Sequence, residues 1–185
     1  ETHNLVVGFL DSIAKASPKS SEVVYWSYSQ KEGSHWSLLN RARREFGERI
    51  SRGSEPDIII TTENSLFFIE AKLTSGNNTL PSNPEAFKKY ETGGNNWFSN
   101  VFESDYKTVA VVEKKYELMR FWLLGTWMAE QMGVDFYLID LVLSRRERNI
   151  VSIFKKHIKE NQRRRFLRLT WESIYDYIVN SSQSS

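Results

Sequence analysis

Residues 55–72 read EPDIIITTENSLFFIEAK. Two apolar runs, Ile58 to Ile60 and Leu66 to Ile69, are bounded by ionisable residues, with Asp57 directly before the first and Glu70 and Lys72 directly after the second. The β-branched and aromatic content predicts strands over 57–62 and 66–73, joined by a polar turn at Glu63-Asn64, hence a hairpin. Side chains alternate along a strand, so residues 66, 68, 70 and 72 share one face and Glu70 and Lys72 project together. Asp57 begins the partner strand and is expected to converge on them. Ionised groups at the ends of buried strands are costly unless something pairs them or a metal binds them. Two converging carboxylates suit a hard divalent cation, which takes oxygen ligands and keeps several waters; the backbone carbonyl of Ala71 is a further donor. Lys72 is suited to orient or help deprotonate an attacking water, or to stabilise charge on a phosphate. The competing reading is a buried ion pair of Lys72 with Glu70 or Asp57 and no chemistry, but such a pair rarely beats apolar packing.

Pro56-Asp57 followed by Glu70-Ala71-Lys72 resembles the signature of the PD-(D/E)XK nucleases, the restriction-endonuclease-like superfamily. Asp57 and Glu70 are thirteen positions apart, a gap that matches a strand–turn–strand connection. The resemblance covers roughly residues 34–143. It implies an α/β fold with an αβββαβ core, a central mixed sheet flanked by helices. It also implies a Mg²⁺-dependent (or Mn²⁺-dependent) hydrolase that cuts phosphodiester bonds, most readily of DNA in restriction or repair. Asp57, Glu70 and the Ala71 carbonyl would hold the metal, and Asp57, Glu70 and Lys72 would carry the chemistry. Relatives such as the Holliday-junction resolvases carry a further acid early in the helix before the hairpin. Here that region reads KEGSHWSLL, with Ser37 or Trp36 at the matching position, so Glu32 just before the helix is the first candidate and Glu45 at its far end the other. Restriction enzymes of this kind are often dimers, which makes a homodimer an expectation by analogy. A catalytically silent nucleic-acid-binding module and a scaffold protein of the same fold are the rival readings.

With 185 residues the chain has the size of one domain, and it contains no cysteine, which excludes disulfides, thiolate metal sites and a thiol nucleophile. Its longest uncharged apolar stretch in the 107–132 segment, Phe121 to Ala129, is nine residues, far short of a membrane span. No basic-then-apolar leader opens it, so a soluble cytoplasmic protein is expected. The net charge is only +2, yet Arg145 to Arg168 holds ten Lys or Arg against two acids. That asymmetry is a nucleic-acid footprint or a solvated helix face, with Arg163, Arg164 and Arg165 the candidate phosphate contacts.

Elsewhere, residues 5–16 and 22–30 are apolar enough to be ordered. Leu38, Leu39, Ala42 and Phe46 recur at helical spacing, with Ser34 as cap and Gly47 as stop. The Gly/Asn/Ser-rich stretch 74–105 reads mostly as loop with one short helix. In it, Trp97 and Phe98 either stack on bases or fold back onto the core. A long helix is predicted over 107–132, ended by Gly133, then a strand over 134–143 in which Asp140 is explained by an edge or strand-end position. A helical stretch at 150–161, a strand over 166–170 and a last helix capped by Thr170 complete the chain.

Overall fold

The computed structural model describes residues 2–14, 19–26, 28–29, 31–50, 55–83, 85 and 87–183. It is an α/β protein whose seven-stranded mixed sheet is flanked by helices on both faces. The elements run α1 (Thr2–Ala14), β1 (Glu22–Tyr25), β2 (Tyr28–Ser29), β3 (Ser34–His35), α2 (Ser37–Glu45), β4 (Ile58–Thr61) and β5 (Ser65–Lys72). They continue with α3 (Phe87–Val101), a π-helical segment (Lys107–Val112), α4 (Tyr116–Met132), β6 (Asp135–Val142), α5 (Ile150–Lys155), β7 (Arg164–Thr170) and α6 (Trp171–Gln183).

The sheet order is β3-β2-β1-β4-β5-β6-β7. The expected hairpin forms, with Ile58 opposite Ile69 and Thr61 opposite Leu66. β6 and β7 then add in parallel to β5, giving aligned rows such as Glu70–Asp140–Arg168. One face of the sheet carries Leu66, Phe68, Phe136, Leu138 and Phe166 and packs against α2 to α5. The other carries Phe67, Ile69, Tyr137 and Leu141 and packs against Leu10 of α1 and Trp171 and Ile174 of α6. The period of two in β5 is thus spent on two separate cores.

Helix α4 is the main support of the first core: every residue from Leu118 to Ala129 is buried. Gly133 ends it as expected, with φ +71°, a left-handed conformation that costs glycine nothing. Several expectations are corrected. The segment 74–105 is not mostly loop, because α3 fills its second half; Gly93 to Asn96 interrupt that helix with non-helical angles, which hides it from pattern reading. Ser34 is not a cap but part of β3, and Trp36 precedes the first turn of α2. The helix expected over 107–132 is broken at 113–115 into the π-helical segment and α4. β7 is longer than expected and joins the central sheet. Residues 5–16, expected to be ordered, fall in α1 as far as Ala14, and residues 15 and 16 lie outside the described residues. Among the described residues no helix is long and apolar enough to cross a membrane.

Candidate active site

The apolar row of Leu66 and Phe68 continues at the carboxyl end of β5 with Glu70 and Lys72. Glu70 is 3% exposed and paired with the Lys72 ammonium, which also donates to Glu117 Oε2 at 3.1 Å. Asp57 stands one residue before β4, whose antiparallel register sets it beside the end of β5. Its Oδ2 accepts the Ala71 N–H at 2.8 Å, so the carboxylate is fixed by the backbone of the strand that carries Glu70. The three sequence-derived residues are therefore brought together. Glu117, in the first turn of α4, completes the group and was missed. It lies 45 positions from Lys72, and nothing local in the sequence pairs them. The Glu117 N–H is itself capped by Thr79 Oγ1 at 2.9 Å.

Lys72 faces two carboxylates, Glu70 and Glu117, and Asp57 stands beside Glu70. Burial pushes the Glu70 carboxyl up to about 7; the Lys72 hydrogen bond and charge oppose this, while Glu117 and Asp57 add to it. Burial disfavours the Lys72 charge, but Glu70 and Glu117 outweigh it and hold the ammonium above its ordinary value. Glu70 Oε2 is buried with no hydrogen-bond partner. A further positive charge is thus what this cluster lacks. Among the described residues no group of three or more His, Asp or Glu side chains is arranged to hold a metal ion. The donor set of Asp57, the orphaned Glu70 oxygen and the Ala71 carbonyl nonetheless fits Mg²⁺, which is commonly held by one or two carboxylates, waters and substrate phosphate rather than by an all-protein cage.

Asp140 is neither at an edge nor at a strand end. It sits in β6, between β5 and β7, in register with Glu70, and is fully buried. Asn77, also fully buried rather than solvated, donates Nδ2 to Asp140 Oδ1 at 2.8 Å, and its own N–H donates to Glu147 Oε1 at 2.8 Å. Burial pushes the Asp140 carboxyl up to about 6, with Asn77 opposing, Glu147 adding and Arg168 and Lys72 opposing. A Cβ at position 76 would lie 2.6 Å from Glu147 Oε1, so a larger residue there would displace the Glu147 carboxylate.

The other candidates lie elsewhere. Glu32 accepts the Ser37 N–H at 2.8 Å and Ser37 Oγ at 3.0 Å, so its carboxylate caps α2. Glu45 closes the same helix as an exposed residue. Arg163 pairs with Asp135 at 3.2 Å, and Arg164 donates to the carbonyls of Lys159 and Asn100. Arg164 and Arg165 open β7, at the end of the sheet away from Glu70 and Lys72. Trp97 donates to Thr126 Oγ1 at 3.1 Å and Phe98 stacks on Phe102, so both fold onto the core.

No protein-family model, curated protein or solved structure matches this chain.

Proposed function

We propose that the chain is a Mg²⁺-dependent nuclease of the PD-(D/E)XK type, hydrolysing phosphodiester bonds, with DNA as the first substrate to test. The observation that carries this reading is the meeting of Asp57, Glu70 and Lys72 at adjoining strand ends, with Asp57 tied to the Ala71 N–H and one Glu70 oxygen buried without a donor. The order α2, β4, β5, α4, β6 around the hairpin supports it as well, although the third antiparallel strand, β1, comes before α2 in the chain.

Asp57, Glu70 and the Ala71 carbonyl are the residues that would hold the metal. When bound there, a divalent cation supplies Lewis-acid stabilisation of charge on the phosphoryl oxygens. Lys72 presents its ammonium beside the same centre, where it orients the attacking water and offsets charge on the phosphate. Glu117 gives Lys72 a second carboxylate partner besides Glu70. The carboxyl ends of parallel strands are also where open α/β sheets bind ligands.

The test is incubation of supercoiled plasmid, linear duplex and single-stranded DNA with the parent protein, in Mg²⁺ and in EDTA. Cleavage is expected in Mg²⁺ alone. It should be abolished in Asp57→Asn and Glu70→Gln and lowered by orders of magnitude in Lys72→Ala, all three remaining folded. Absence of metal-dependent cleavage of any substrate, or parent-like cleavage by all three variants, overturns the reading.

A further inference from the structure

A second site adjoins the first. Glu117, the partner of Lys72, also lines a cavity of about 590 Å³ whose other walls include Arg49, Lys89, Tyr90, Tyr116 and Arg120. That volume lies in the range of small-ligand pockets. Among the described residues its cations outnumber its carboxylates. Two carboxylates reach it, and each is already committed: Glu48 to the buried Arg120 and Glu117 to Lys72. Lys89 and Arg49 form no ion pair among the described residues. Lys89 Nζ lies 4.7 Å from the centre of the Tyr90 ring and, among the described residues, donates to a main-chain oxygen, that of Gly47 at 3.5 Å.

Burial holds the Lys89 ammonium below the usual lysine value, and Arg120 and Arg49 push the same way against the pull of Glu48. Cations that outnumber the carboxylates in a partly desolvated cleft are stabilised by an arriving anion with several oxygen acceptors. The floor is built rather than incidental. Arg120 is 3% exposed, locked to Glu48 and set over the Tyr116 ring, and Tyr116 is bonded to the Tyr90 hydroxyl at 2.8 Å.

We propose that this cleft binds the phosphate group of a nucleotide, held by Lys89 and Arg49 and set beside the candidate site by the shared wall at Glu117. The assignment of that neighbour as the substrate strand rests on the nuclease reading; the binding of the nucleotide does not. The phosphate comes either from the strand being cut or from a free mononucleotide.

The experiment is calorimetric titration, in EDTA, of the parent protein with thymidine 5′-monophosphate, thymidine, inorganic phosphate and a short oligodeoxythymidine. The monophosphate is expected to bind and thymidine not to. The Lys89→Gln/Arg49→Gln double variant should weaken it by about tenfold or more, the loss of charge-assisted hydrogen bonds. Lys89→Arg should retain binding. Parallel weakening of the oligonucleotide identifies the strand as the source; weakening of the mononucleotide alone identifies the free nucleotide. Parent protein that binds neither, or a double variant that binds both as the parent does, overturns the proposal. Because EDTA removes any metal contribution, a failure here is distinct from a failure to cleave in Mg²⁺.

Discussion

Glu70 and Asp140 stand side by side on adjacent parallel strands, both buried, and each keeps one carboxylate oxygen without a hydrogen-bond donor. Two acids so placed need a reason, because an ionised carboxylate without compensation is costly away from water. Lys72 compensates Glu70 directly, whereas Asp140 has the Asn77 amide as its hydrogen-bond donor.

The pH dependence of stability follows for Asp140. Its value is raised from 3.8 to about 6 in the folded state, so ionisation costs stability: the contribution is intact below the unfolded value and is lost as pH rises through about 6. In Asp140→Asn the loss is absent, and an amide still accepts from Asn77. The variant should match the parent near pH 4 and exceed it above pH 7 by up to about 3 kcal/mol, a shift of roughly two pH units. Urea unfolding in EDTA across that range measures the gap. A gap that does not widen with pH would sink this account of Asp140.

Glu117 is expected to act as a positioning residue through Lys72. In Glu117→Gln the ammonium keeps Glu70 but loses its second carboxylate. Supporting contacts of this kind typically cost 10- to 100-fold in activity or metal affinity. Both side chains are partly exposed, at 15% and 19%, so the cost to stability should stay below about 1 kcal/mol. Plasmid cleavage against Mg²⁺ concentration, beside an unfolding curve, separates the two effects. Unchanged cleavage would make the Lys72–Glu117 contact a surface ion pair and nothing more.

How much of this was legible in the sequence varies with the range of the interaction. Asp57, Glu70 and Lys72 were visible because strand alternation and one short turn bring them together over few residues. Glu117 was not, because it arrives on α4, which packs across the sheet through a core that no local pattern describes. Asp140 was seen but misplaced: an acid in an apolar run reads as an edge residue until β7 is known to extend beyond β6. Helix α3 was hidden by Gly93 to Asn96, whose local preference for turns is correct, since those residues do leave helical geometry within it. The Arg145–Arg168 charge asymmetry was real in composition but divided in space, part of it consumed by main-chain carbonyls.

Gly125, in the middle of α4, gives a prediction in which two effects oppose. Alanine favours a helix interior over glycine by about 1 kcal/mol. A Cβ at this position, however, would lie 2.2 Å from Cε2 and Cζ of Phe136 on β6, a separation that cannot persist. Overpacking of a dense core costs about 1–3 kcal/mol, so Gly125→Ala should be destabilising on balance. In a Phe136→Leu background, with the ring removed, the same substitution should turn neutral or stabilising. Denaturant midpoints of the four proteins test this, and an additive pair would show that the helix and ring do not collide.

The last prediction concerns Arg163, Arg164 and Arg165. Arg164 is in register with Phe136 and Leu66, while Arg168, four residues on, is in register with Asp140 and Glu70. The cluster is thus about 13 Å along the strands from the candidate site. Two of its members are already engaged, Arg163 with Asp135 and Arg164 with two main-chain carbonyls. Each phosphate contact on duplex DNA contributes about 0.9 to the slope of log affinity against log salt. Three free arginines would therefore contribute up to about 2–3 units. With Arg165 alone uncommitted to a partner of this kind, replacing all three by serine should flatten the slope by no more than about one unit. The same variant should lose stability, because the carbonyls of Lys159 and Asn100 give up their donor. Binding to duplex DNA by the Glu70→Gln protein at several salt concentrations, with and without the three substitutions, measures the slope. Flattening by two units or more would carry the DNA across the strand-start end of the sheet, away from Lys72.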